Sequence, residues 1–175
     1  MSEPIGILRF MRNELFSGYT QHTHEDRPLG AYATLIAGFW ALTGGEVWLA
    51  MRRGRGLPER LAWSDVALLG LATHKISRLI TRDTVTSVLR APFATFEGSA
   101  GQGEVNESAR GTGLQHALGE LITCPFCFGQ WVLAVLGFGL IAWPRQTRFV
   151  AGLCASLSLA DLLHMLYGIL RKHAD

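Results

Sequence analysis

At 175 residues the chain has room for one domain, and 49% hydrophobic against 17% charged residues leaves too few polar side chains to cover a water-facing globule. The formal net charge is only +2, and no basic stripe with interleaved aromatics occurs, which gives no reason to propose nucleic acid as a partner. Long apolar runs are separated by short stretches holding most of the arginines, the pattern a bilayer imposes, so the expected fold class is all-α. The expectation is a polytopic membrane protein of bacterial type, a small bundle of about four transmembrane helices with one long polar loop, in the cell (cytoplasmic) membrane.

Residues 1–28 form a polar or amphipathic N-terminal segment that lacks the uninterrupted apolar core of a secretory signal. Ile5, Leu8, Met11 and Leu15 recur at helical spacing with Arg9 and Arg12 between them, which suits a helix lying on a membrane surface or a frayed terminus. His22 and His24 are candidates for weak metal binding, though two histidines in a polar terminus are more often solvated, and no metal or cofactor is called for. Residues 29–175 are read as a single transmembrane helical domain. Its first span is expected over 29–50, stopped by Arg52, Arg53 and Arg55, with Glu46 an interfacial partner of those arginines.

A second span is expected over 63–80, capped by Ser64 or Asp65. Its apolar run stops at Ala72, after which Lys75, Arg78 and Arg82 form a basic stripe, so it must cross by snorkelling or end part-way. The polar loop 83–113 lies outside the hydrocarbon, its start able to dock on the bundle through Arg90, Pro92, Phe93 and Phe96, its glycine-rich middle mobile. A short amphipathic turn follows over 114–122. The third span is expected over 123–143, with Pro125 in its first turn, and the fourth over 149–170 after a tight connection. Gly152, Ala155, Ser156 and Ser158 on the fourth helix would let a neighbour approach closely. Arginines on the two sides nearly balance, and the reading favoured places both termini and the long loop in the cytoplasm.

Between Asp65 and Trp131 a set of short motifs follows in order: Ala72-Thr73, Ser77-Arg78-Leu79-Ile80, Arg82-Asp83, Leu89-Arg90-Ala91-Pro92-Phe93, Gly103-Glu104-Val105, Arg110-Gly111-Thr112-Gly113, Gly119-Glu120-Leu121 and Cys124-Pro125-Phe126-Cys127. This stretch, well under half of the chain, resembles the bacterial family known as domain of unknown function 1360. The resemblance implies a small membrane protein of the kind found in actinobacteria and spore-forming bacilli, and it implies no reaction.

Two sites carry chemistry. Cys124 and Cys127 have the spacing of a thiol–disulfide couple at a helix N-terminus, where amide hydrogens and the helix dipole stabilise a thiolate; the alternatives are metal binding or two small apolar residues. A metal would need two more ligands, for which Cys154, His74, His116 and His164 are available on paper. Asp161, near mid-depth of the fourth span, needs a partner: His164 at i+3, or Lys75 or Arg78 from the second helix, as a structural pair or as part of a proton relay. Three functions stand on these residues. The first is an accessory or scaffold protein that binds other membrane proteins or itself, which accounts for the absence of a convincing catalytic set and leans away from an enzyme. The second is a membrane thiol oxidoreductase using Cys124 and Cys127, and the third a proton- or ion-coupled protein centred on Asp161.

Overall fold

A computed structural model describes residues 27–54 and 56–174. The amphipathic segment, His22, His24 and Arg55 lie outside the described residues. In chain order the elements are α1 (Leu29–Arg52), α2 (Trp63–Thr81), a 3-10 turn (Thr84–Thr86), α3 (Ser87–Arg90), β1 (Ala94–Gly101), β2 (Glu104–Ala109), α4 (Gly113–Thr123), α5 (Pro125–Ala142) and α6 (Pro144–Ala174). Three helices are long and apolar enough to cross a membrane: Leu29–Arg52, Pro125–Ala142 and Pro144–His173. The helix expected over 63–80 forms, but it is not one of those three.

The helix ends follow local chemistry. Cys124 sits in extended conformation as the N-cap of α5, and Pro125 takes the first helical position, where a missing amide hydrogen costs nothing. A residue before proline is pushed out of the helical region, so Trp143, preceding Pro144, breaks the chain into α5 and α6. The connection expected over 144–148 is therefore already helix. In α1, Thr34 and Thr43 return their hydroxyls to the carbonyls of Gly30 and Phe39, leaving no polar group outstanding on those side chains.

The packing centres on α2, which lies against both α5 and α6. Leu69, Ala72, Leu140 and Ala151 form a buried cluster, flanked by Leu68, Leu136 and Cys154. Ala151, Ala155 and Ser158 are the small residues that bring α6 onto α2, and the Ser158 hydroxyl donates to the Leu71 carbonyl at 2.8 Å. Ser156 instead faces outward and bonds its own helix at Gly152. The outer surface of the bundle is apolar, with Ile36, Trp40, Leu133, Phe149, Leu157 and Leu163 all exposed.

The segment 83–113 departs from the expected mobile loop, and with it the all-α class gives way to a helical fold carrying a small sheet. β1 and β2 pair antiparallel, Ala94 opposite Ala109 and Gly101 opposite Glu104. The two residues between them, Gln102 and Gly103, both have positive φ (53° and 81°), the pattern of a turn whose twist matches that of the strands. Gly119 of α4 comes so close to the hairpin that an added Cβ would stand 2.4 Å from the Phe93 carbonyl oxygen, so only glycine fits. Turn, hairpin and α4 together form a cap on the end of the bundle where α2 stops.

Candidate functional site

Arg90 is the centre of the cap and is fully buried. Its guanidinium donates to the Ile80 carbonyl (2.6 Å), the Thr86 hydroxyl (2.7 Å), the Asp83 carbonyl (3.0 Å) and the Ser87 hydroxyl (3.1 Å), and it is ion-paired with the buried Glu107 of β2. Ile80 is in the last turn of α2, where carbonyls lack partners within the helix, so one side chain satisfies the helix end and ties it to the hairpin. The hairpin tip folds back as well, with Thr84 N–H donating to the Gly103 carbonyl and Val105 N–H to that of Arg82.

Where α2, the hairpin tip and α6 meet, a polar cleft of about 640 Å³ opens, lined among others by Lys75, Arg78, Asp83, Glu104, Asp161 and His164. The four polar residues marked in the sequence, Asp161, His164, Lys75 and Arg78, thus border one cleft. The Lys75 ammonium donates to Asp161 at 2.7 Å, joining α2 to α6. Arg78 turns to the cap, with its Nη2 at 2.5 and 2.7 Å from the two Glu104 carboxylate oxygens and its Nε at 3.1 Å from the nearer one. His164 makes no hydrogen bond to Asp161 among the described residues. Asp83, in the turn beyond α2, has its carboxyl raised above the ordinary carboxylate value. Burial is the main cause; Glu104 and Asp161 add to it, while Lys75 and Arg78 oppose it.

The cysteine pair sits at the other side of the cap, at the start of α5. Both are free thiols, and the Cys127 N–H donates to the Cys124 sulfur at 3.3 Å. Cys127 is exposed and borders a second cavity, with Glu120 and Gln130, between α1 and α5. Cys154 is packed against the buried cluster. His116 faces Glu120 at 3.6 Å on its own helix. Among the described residues no group of three or more histidine, cysteine or acidic side chains could hold a metal.

Residues 68–167 match the model of the family described as Protein of unknown function (DUF1360). The chain belongs to that family. The match is wider than the Asp65 to Trp131 stretch that carried the resemblance, running from α2 through most of α6. A relative from Bacillus subtilis (strain 168), "Sporulation protein YjcA", is 29% identical over 104 residues, 58% of this chain and 88% of the relative. Another from the same organism, "UPF0713 protein YngL", is 28% identical over 88 residues, covering 50% of this chain and 65% of the relative, less than two thirds of its length. No solved structure matches. The DUF1360 region holds the whole cap, the cleft and both cysteines; α1 and Asp65 lie outside it.

Several structural residues escaped the sequence. Arg90 reads there as one of several residues through which the loop start could dock on the bundle, and only its pairing with Glu107, 17 positions on, shows it as the buried centre of the cap. Asp65 reads as a helix cap, whereas its carboxylate receives Arg148 of α6 in a two-pronged pair at 2.8 Å each. Glu120 collects Arg27 and Tyr32, fixing the start of α1 to α4. Glu46 makes no ion pair with the described arginines, and Arg52 lies instead over the Trp48 ring, 4.2 Å from its centroid.

Proposed function

We propose that the chain is a multi-pass protein of the bacterial cell membrane, with α2 crossing as a fourth span against α5 and α6, and that it serves as an accessory or scaffold protein. Its cap would hold another membrane protein, or a second copy of itself. One observation carries this reading: a cap fixed internally by Arg90 presents Val85 (82% exposed), Val88 (75%), Leu89 and Phe96 (64%) on its outside. Large apolar side chains on a rigid, polar-cored frame suit a contact with another protein.

The fourth crossing is supported by the matched charges of α2, since Asp65 has Arg148 and Lys75 has Asp161, and a paired charge costs a bilayer far less than an isolated one. Trp48, Trp63 and Trp143, near the end of α1, the start of α2 and the end of α5, suit an aromatic belt at one interface. The direct Lys75–Asp161 bond favours a clamp that sets helix register over a relay through His164. The name of the first relative makes sporulation the process in which to look first.

The test is a photo-crosslinking residue at position 88 or 96 in living cells. A discrete adduct that disappears with Val85→Asp supports the reading; no adduct from either position, together with a monomer in mild detergent, overturns it.

A second reading rests on the helix-start geometry of Cys124 and Cys127. In it Cys124 acts as a thiolate toward a partner disulfide: its sulfur attacks, a mixed disulfide forms, and Cys127 displaces the partner as a dithiol that carries the two electrons away. Alkylation trapping in cells, in a Cys154→Ser background, tests it. A fraction oxidised at this pair that collapses in Cys127→Ser supports the couple, and full reduction under all growth conditions removes it.

A further inference from the structure

Away from the polar cleft, two cavities lie end to end between α1 and α5. One, of about 460 Å³, runs beside Tyr32 and Cys127; the next, of about 500 Å³, runs beside Glu46 and Phe138. Phe39, Trp40 and Gln130 border both, so the two form one groove. Its aromatic wall is braced: Phe39 meets Trp40 edge-on at 5.9 Å and Trp131 at 5.4 Å between ring centroids.

Among the described residues Glu46 is the only acidic one bordering the second cavity, and it is half-buried there. Among the described residues its carboxylate has neither an ion pair nor a hydrogen bond. Three other acidic side chains of the described residues that stand at helix–helix contacts each have a cation: Asp65 has Arg148, Asp161 has Lys75 and Glu120 has Arg27. No charged group of α5 borders the second cavity; Gln130 and Thr43 are its polar neighbours, and Glu120 and Cys127 stand at the far cavity. On its own helix, Arg52 is engaged with Trp48.

A carboxylate with no partner among the described residues, set in an apolar groove walled by aromatic rings, is complemented by a cation that is itself hydrophobic. Ring faces attract it, apolar substituents fill the cavity, and the carboxylate supplies the counter-charge that the protein withholds. Each cavity lies within the range of roughly 300–1,000 Å³ that small ligands occupy. We propose that the α1–α5 groove is a binding site for a lipophilic organic cation, of the quaternary ammonium or phosphonium class, with Glu46 as its counter-ion. Proton and ligand compete for the same carboxylate.

The test uses the full chain purified in a non-ionic detergent and titrated with tetraphenylphosphonium, read by tryptophan fluorescence. Saturable binding should weaken at least about tenfold in Glu46→Gln, while Glu46→Asp stays within about threefold. It should also weaken as pH falls from about 8 to about 4, because protonation removes the counter-charge, and that pH dependence should vanish in Glu46→Gln. Phe39→Leu, which keeps the carboxylate, should weaken binding by about threefold or more. Equal melting temperatures of wild type and Glu46→Gln establish that the variant is folded. If wild type shows no saturable binding, if a folded Glu46→Gln binds equally well, or if the neutral triphenylphosphine oxide binds as tightly as the cation, the proposal is overturned.

Discussion

α1 and α2 are helices of similar length with opposite fates. α1 is apolar enough to cross a membrane and buries one residue, Ala50; α2 falls short of that measure and buries Asp65, Leu69, Ala72, Ser77 and Thr81. The apolar helix is the outer one, touching its neighbours through Phe39 against Trp131 and through Glu120 at its start. The polar helix is the inner one, fixed by an ion pair near each end and by the arginine of the cap. In a protein of this kind hydropathy marks what faces outward, whereas the residues that hold the bundle together are small or charged.

That contrast can be broken at four points. The largest effect is expected at the junction of α2 with the cap, where Arg90→Ala leaves Glu107 buried without a cation and should cost about 3–5 kcal/mol in reversible unfolding in detergent. An unchanged unfolding curve would mean that the cap is not part of the cooperative unit. Next, Ala151→Leu drives a large side chain into the face where α6 meets α2 and should cost about 1–3 kcal/mol, while Ile36→Ala on the open face of α1 should stay within about 0.5 kcal/mol. Equal costs at the two sites would erase the distinction between inner and outer helix.

Ser158→Ala removes one interhelical hydrogen bond and should cost about 0.6 kcal/mol, measured as a small fall in Tm. The smallest effect concerns Asp83. Because its carboxyl is raised in the folded protein, folding favours the protonated form: the associated stability is present at low pH and lost as pH rises through the raised folded value. The Tm of Asp83→Asn relative to wild type should therefore climb as the buffer is taken from about pH 4 to about pH 8, and a constant difference would remove burial of that carboxyl as the cause.

How much of this could be read in advance depends on the range of each interaction. The helices at 29–52, 125–142 and 144–174 follow from local hydropathy and from Pro125 and Pro144, so the sequence marks their positions to within a few residues, although it places the start of the last helix late. The hairpin is not legible in the sequence because its cues are weak. Gln102 stands where a stronger turn former would have been noticed, and Gly98 and Gly101 interrupt the alternation beside two register shifts. Its pairing is non-local, as are the partnerships of Arg90 with Glu107 and Asp65 with Arg148, and no short window contains both members. Of the polar residues singled out, Lys75 and Asp161 meet and Arg78 looks elsewhere, a choice made by the folded-back hairpin tip that carries Glu104.

The pairing of α2 also bears on how the chain is made. The counter-charges of Asp65 and Lys75, Arg148 and Asp161, are both carried by α6, 83 and 86 residues further along the chain. α2 is therefore synthesised well before the residues that neutralise it, and were it to enter a bilayer its charges would need to be sheltered by water, headgroups or an insertion machine until α6 is made. A chain stopped after Trp143 would contain α2 but neither Arg148 nor Asp161, leaving Asp65 and Lys75 without those partners.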